Sequence, residues 1–291
     1  MLREEDVRGI FVPVVTPFSM NGDLDEESYD RYLENLLTHD IQGLVINGTT
    51  GEAPTVLWEE VHNLVCRTKS VIARKGISIP IVVGTGTNDT RSTVERTVLA
   101  KEIGADAALI VVPYYSRPSQ AGILEHYRRA AQTGLPIIAY EVPYRTSVRI
   151  SADTAEEILA LDGVIGMKDS SGGTELISAL KQRGVTKPIL CGEDAYFLGW
   201  LRQGAAGGIL AAANLRTEMF IETYRQFRDG NTALATSAFD SLTQLIDHLF
   251  RESNPAPLKW LLSHQGLLDS DTLRLPLLPI SEGLRNQLSV I

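Results

Sequence analysis

The sequence is short of the residues that several common chemistries require. Two cysteines occur in 291 residues, Cys66 and Cys191, far apart and outside any Cys-x-x-Cys pattern, which argues against a disulfide framework and against a zinc site. Cys191 follows an apolar stretch and reads as a small core residue. The five histidines, His39, His62, His126, His248 and His264, fall in expected helices or at their ends without metal-ligand spacing, so a metal-dependent route is disfavoured. Basic residues number 27 against 36 acidic ones, for a net charge of -9, and no lysine or arginine block stands out. Nucleic acid is therefore not an expected partner, and an anionic substrate would need positive charge placed locally. No apolar run is long enough to cross a bilayer, and the charged start Met1-Leu2-Arg3-Glu4-Glu5-Asp6 lacks the apolar segment of a signal peptide. A cytoplasmic enzyme is the expectation, and the Asn-x-Thr sequons at Asn47 and Asn88 then carry no weight. Nucleotide loops are missing too: no Walker lysine motif occurs, and Gly84-Thr85-Gly86-Thr87-Asn88-Asp89 lacks the third glycine of a dinucleotide fingerprint.

Hydrophobic residues make up 44% of the chain and charged ones 22%, a globular balance with enough length for one large domain or two ordinary ones. A strand–helix module repeats along most of it. Apolar strand-like runs at 10–16, 43–47, 79–83, 107–112, 136–140, 164–168, 188–191 and 207–210 alternate with amphipathic stretches near 25–39, 58–74, 90–103, 119–132, 152–160, 174–182 and 194–202. Gly76, Gly104, Gly134, Gly184 and Gly204 supply helix stops. Continuous apolar strands suit a parallel sheet covered on both faces, and eight of them suit a closed (β/α)8 barrel, with a doubly wound open sheet as the competitor. After about residue 216 only helical spacing remains. The expected organisation is a barrel over residues 1–216 with a helical C-terminal extension over 217–291.

The candidate chemistry sits where expected strands end. Lys168 closes the run Val164-Ile165-Gly166-Met167 before small polar and glycine residues begin. A surface lysine there is simply solvated. A lysine walled by apolar neighbours is different, because desolvation disfavours the ammonium and frees a nucleophilic amine. In a barrel the C-terminal strand ends converge on one site, and those ends carry Thr49 and Thr50, Tyr114 and Tyr115, Tyr140, Arg145 and Lys168. Gly48-Thr49-Thr50-Gly51-Glu52 can form an anion-binding nest of backbone N–H groups, although any tight turn after a strand has this look. Tyr140 can move protons for a neighbouring amine or be an ordinary core tyrosine. Arg145 offers a planar fork for a carboxylate or serves a structural ion pair.

Taken in order, Gly48-Thr49-Thr50-Gly51-Glu52, Pro113-Tyr114-Tyr115, Tyr140 with Val142-Pro143-Tyr144-Arg145-Thr146, Gly166-Met167-Lys168, Glu252-Ser253-Asn254-Pro255-Ala256-Pro257-Leu258-Lys259-Trp260 and Leu273-Arg274-Leu275-Pro276 resemble the dihydrodipicolinate synthase branch of the pyruvate-dependent class I aldolases. The likeness spans nearly the whole chain. It implies a Schiff-base lyase in which Lys168 forms an imine with pyruvate and no external cofactor takes part. It further implies a proton relay of Thr50, Tyr140 and Tyr115, with Tyr115 reaching a neighbouring subunit of a homotetramer. Thr49 and Thr50 would hold the pyruvate carboxylate, Arg145 the carboxylate of L-aspartate semialdehyde, and Gly192 and Ile209 would line the pyruvate end.

Within that superfamily, Arg145 favours a short anionic aldehyde over the polyol of a sialic acid or keto-deoxy sugar acid, which stays the alternative substrate class. Glu141 departs from the asparagine usual after the relay tyrosine, and strand alternation would turn it away from a site that Tyr140 faces. The Ala211-Ala212-Ala213-Asn214 loop and Asp169-Ser170-Ser171 also differ from common versions. Ala53, Pro54, Trp58, Val61 and Ser92 occupy positions where regulated members carry a polar pocket for lysine, so little lysine inhibition is expected. A non-catalytic ligand-binding barrel would have been expected to lose Lys168, Tyr140 or the paired threonines, and all are present.

Overall fold

The computed structural model describes residues 1–290. In chain order its main elements are β1 (Gly9–Pro13), α1 (Glu26–Leu36), β2 (Gly43–Ile46), α2 (Trp58–Lys75), β3 (Ile81–Gly84), α3 (Thr90–Glu102), β4 (Ala107–Val111), α4 (Gln120–Ala131), β5 (Ile137–Glu141), α5 (Pro143–Thr146), α6 (Ala152–Leu159), β6 (Val164–Asp169), α7 (Glu175–Gln182), β7 (Ile189–Cys191), α8 (Phe197–Arg202) and β8 (Gly207–Ile209). Helices α9 (Thr217–Arg228), α10 (Thr232–Asp240), α11 (Thr243–Leu249), α12 (Ala256–His264) and α13 (Glu282–Leu288) complete it. The strands close in sequence order, β1 to β8, as the (β/α)8 barrel that the repeating module predicts.

Local chemistry explains the boundaries. Asp25, Asp89, Ser119, Ser151 and Ser281 each accept the backbone N–H three residues on, satisfying a donor that the first helical turn leaves orphaned. Gly76 ends α2 at φ 65°, a left-handed conformation that glycine adopts without a Cβ penalty. Strands β1, β2, β3, β5, β7 and β8 are buried at every residue, as a sheet covered on both faces requires. The first strand stops at Pro13, short of the expected Thr16, whose hydroxyl instead bonds to Gly51 O at 2.7 Å. The expected helix at 194–202 begins as a 3-10 turn and becomes α8 at Phe197. Among the described residues no helix is long and apolar enough to cross a membrane.

Two compact units make up the chain, residues 1–11 with 80–209, and residues 12–79 with the chain from Leu210 onward. In the first, β8 pairs with β1 in the register Gly9↔Gly207, where a Cβ on Gly207 would lie 2.0 Å from Gly9 O. Only glycine permits that approach. Further round, Tyr140 pairs with Lys168 and Glu141 with Asp169 across β5 and β6.

The second unit is organised by charge. Lys259 Nζ lies 2.8 Å from Glu52 Oε1 and 2.8 Å from Thr16 O, and neither side chain of the ion pair is more than 1% exposed. Burial pushes the Lys259 amine down from its ordinary pKa, with Glu52 opposing. The other Glu52 oxygen accepts the Arg274 N–H at 3.1 Å. The Arg274 guanidinium grips Glu60 at 2.6 and 2.5 Å, holds its carboxyl below the usual range, and lies 4.2 Å from the centroid of the Phe18 ring. Asn214 accepts from the Tyr32 hydroxyl and donates to Pro13 O and Ala211 O. Replacing one member of a buried pair strands the other charge. Lys259→Met is expected to lower the unfolding free energy by about 3–5 kcal/mol, measured as a fall in the urea midpoint.

Candidate active site

Lys168 is the next-to-last residue of β6 and only 7% exposed. Its Nζ lies 4.2 Å from the centroid of the Tyr140 ring, itself 5% exposed. The contact follows from the register pairing, since side chains of paired residues on neighbouring strands leave the same face. Behind Tyr140, the buried Tyr127 of α4 braces two strands by accepting the Tyr140 N–H at 3.4 Å and donating to Ile110 O at 2.8 Å.

Gly192, just past β7, stands against the lysine. A Cβ placed there would lie 2.6 Å from Lys168 Cε and 2.1 Å from Ser170 Oγ. The missing side chain is what lets the amine run along this wall. Glu193 follows, and sequence reasoning missed it. Its carboxyl is pushed up to about 7, first by burial and then by Asp194, while Lys168 and Arg145 pull it down. An acid directly after the glycine that follows an expected strand was the available signal.

Arg145 sits on α5, a turn that the sequence did not predict. Pro143 suits the first helical position, Arg145 N and Ser147 N bond back to Val142 O and Pro143 O at 2.9 Å, and Thr146 is buried. The arginine is exposed, with its guanidinium carbon 5.3 Å from the Tyr144 ring centroid. Tyr115 lies beyond β4, 90% exposed at φ 72°. Ile209 ends β8 and is buried opposite Phe11.

Thr49 and Thr50 belong to the second unit, on a turn whose ends, Asn47 and Glu52, take φ 58° and 56°. Gly51 N and Ala53 N bond to Gly48 O at 3.1 and 3.3 Å, and Glu52 N bonds to Thr49 O at 3.1 Å. Asn254 Nδ2 donates to Thr50 Oγ1 at 3.1 Å. With the Lys259–Glu52 and Arg274–Glu52 contacts, three residues from distant C-terminal strings hold this one turn. Sequence gave those strings no physical task, because the contacts span more than 200 residues.

Glu141 is fully buried and its Oε1 accepts the Ile150 N–H at 3.0 Å, on the strand face opposite Tyr140. Cys191 is buried, Cys66 exposed, and both are free thiols. Among the described residues no group of three His, Cys, Asp or Glu side chains is placed to hold a metal ion.

The sequence profile of the dihydrodipicolinate synthetase family matches residues 6–291. The chain belongs to that family. It is 35% identical over 285 residues to 4-hydroxy-tetrahydrodipicolinate synthase 2 of Clostridium acetobutylicum, covering 97% of this chain and 98% of that one. To the 4-hydroxy-tetrahydrodipicolinate synthase of Phenylobacterium zucineum it is 40% identical over 282 residues, covering 96% and 94%. The crystal structure of dihydrodipicolinate synthase from Thermotoga maritima superposes with a TM-score of 0.91 at 35% identity, covering 97% of this chain and 98% of that one. The Acinetobacter baumannii dihydrodipicolinate synthase, solved with pyruvate, gives 0.92 at 34% identity, covering 98% and 97%.

For this member of the dihydrodipicolinate synthetase family, the wall at Gly192 yields a direct test. In Gly192→Ala the atoms that must give way are ends of flexible side chains, Lys168 Cε and Ser170 Oγ. The variant is expected to fold with a nearly unchanged melting temperature and to lose roughly 100-fold in kcat, because the amine is displaced. Steady-state kinetics beside a thermal melt checks both halves.

Proposed function

We propose that this chain condenses pyruvate with L-aspartate semialdehyde to 4-hydroxy-tetrahydrodipicolinate, through an imine on Lys168. The observation that carries the reading is the buried amine of Lys168 over the Tyr140 ring beside Gly192, in a chain whose family membership spans its length. The Lys168 amine adds to the pyruvate keto carbon, and the resulting carbinolamine loses water to give the imine. Loss of a proton from the adjacent methyl leaves an enamine whose carbon attacks the aldehyde. The aldehyde oxygen takes up a proton, and attack by the amino group of the semialdehyde closes the ring and releases Lys168. No external cofactor enters, because the protonated imine itself is the electron sink.

Each proton movement needs a group that both gives and accepts, and Tyr140 beside the amine fits that task, with Thr50 and Tyr115 as its proposed relay partners. Thr49 and Thr50 are assigned the pyruvate carboxylate, Arg145 the carboxylate of the semialdehyde, and Gly192 and Ile209 the pyruvate end. Catalysis is assigned to the barrel of residues 1–216 with 217–291 as its helical extension, in a cytoplasmic enzyme of lysine and diaminopimelate biosynthesis. The exposed ring of Tyr115, held at positive φ, suits burial against a second copy in a homotetramer. A solved relative with a TM-score of 0.92 at 35% identity is described as a monomeric variant, so sedimentation decides this point for the present chain.

Borohydride with pyruvate is expected to fix a mass adduct on Lys168 and none on Lys168→Arg. Arg145→Ala is expected to keep that adduct while raising KM for the semialdehyde about ten- to a hundredfold, the loss of one charge-assisted pair. Turnover of a keto-deoxy sugar acid without turnover of the semialdehyde overturns the assignment. Little feedback inhibition by lysine is proposed as well. Val61 is fully buried, and the Ser92 hydroxyl is bonded to Asp89 at 2.6 Å, which leaves these positions poor partners for an ammonium. A lysine titration of initial rate is expected to stay flat through the millimolar range, and strong inhibition at low lysine concentration refutes the point.

A further inference from the structure

One residue past Tyr140 and one past Lys168, the two strands place a pair of acids side by side. Glu141 and Asp169 are register partners on neighbouring strands, both fully buried, so their side chains leave one face about 5 Å apart at the backbone. Each carboxyl has one oxygen on a backbone N–H, Glu141 Oε1 on Ile150 at 3.0 Å and Asp169 Oδ1 on Ser171 at 2.7 Å. The second oxygens, Glu141 Oε2 and Asp169 Oδ2, are buried without a hydrogen-bond partner.

The groups around them do not neutralise two anions. Arg149, from the loop before α6, is exposed and donates to Ser171 O at 3.3 Å; its charge acts on both acids from a distance. Glu175, in the first turn of α7, acts in the opposite sense on Asp169. Tyr127 of α4 faces Glu141 as a neutral phenol, and Cys191 at the end of β7 and Glu193 beyond it face Asp169. The Ser171 hydroxyl also favours the Asp169 anion; the two second oxygens are both acceptors when ionised, and a single proton satisfies them together.

We propose that Glu141 and Asp169 share one proton, in a hydrogen bond between Oε2 and Oδ2, and that this bridge is a positioning element for Lys168 and for the loop carrying Arg145. It ties the ends of β5 and β6 together. Through Ile150 it also anchors the segment that returns from Arg145, and through Ser171 the turn that follows Lys168. Loss of the proton to solvent sets like charges against each other where the two strands must hold the amine beside Tyr140.

Burial agrees with this arrangement, pushing Glu141 up to about 7 against the Ile150 N–H, and Asp169 up to about 6 against the Ser171 hydroxyl and N–H. A carboxyl whose folded pKa is raised contributes stability that is fully present below its ordinary value of 4.5 and is lost as pH rises through about 7.

The kinetic part rests on Lys168 being the imine-forming amine; the spectroscopic part does not. Glu141→Gln keeps an acceptor for Ile150 and puts an amide donor toward Asp169, without an ionisation. It is expected to retain activity near neutrality and to move the alkaline limb of the kcat–pH profile up by about one pH unit or more. Glu141→Leu removes both bonds and is expected to lose at least about tenfold in kcat at every pH, with KM for pyruvate nearly unchanged. Infrared difference spectra for a jump from about pH 6 to about pH 9 are expected to show a buried carboxylic-acid band in the wild type that is missing from both Glu141→Gln and Asp169→Asn. An unmoved alkaline limb in Glu141→Gln, or a carboxylic-acid band that survives in both variants, overturns the shared proton. Failure of borohydride trapping at Lys168 with the band behaving as expected overturns only the assignment of the amine.

Discussion

The register between β5 and β6 sets the geometry around Lys168. Pairing Tyr140 with Lys168 brings an amine over a phenol ring, and the same pairing one residue on brings Glu141 to Asp169. Because strand side chains alternate, the two couples leave opposite faces, so one dipeptide pair separates nucleophile chemistry from a buried acid pair. A one-residue slip of β6 would bring Asp169 opposite Tyr140 and turn Lys168 to the face of Glu141. The burial of all four residues, and the brace that Tyr127 forms across β4 and β5, oppose such a slip.

The molecule handles buried charge in two ways. Lys259 and Glu52 are opposite charges at 2.8 Å, with Thr16 O accepting a second Lys259 proton and the Arg274 N–H answering the second Glu52 oxygen. Glu141 and Asp169 are like charges, each with one oxygen unanswered, and a proton is the cheapest counter-ion available to them. The first arrangement fixes the turn that carries Thr49 and Thr50. The second stands directly behind the lysine strand.

Much of the barrel was legible because its signals are local. Glycine stops and unbroken apolar runs each act within a few residues, and most observed helices begin and end within a residue or two of the expected bounds, with α1 ending three residues early at Leu36 and α8 beginning three residues late at Phe197. Arg145 was legible as a residue but not as geometry, since the short α5 depends on Pro143 and on Thr146 closing the turn. Glu193 was not singled out at all. Its importance comes from facing Lys168 and Arg145, and facing is a property of three dimensions. The strings around Asn254, Lys259 and Arg274 matched a family without revealing a purpose, and the fold supplies one by bringing them to a single turn.

By itself the sequence determined the alternation of strands and helices, the identity of the lysine that ends an apolar strand, and the alternation that turns Glu141 away from Tyr140. Each of these follows from spacing along the chain, where neighbours in sequence are neighbours in space. Only the tertiary structure decided that Glu141 meets Asp169, that Gly192 must lack a side chain for Lys168 to lie where it does, and that Lys259 answers Glu52. Those contacts join residues separated by 28, 24 and 207 positions, and no local periodicity records which strand ends will stand together once the barrel has closed.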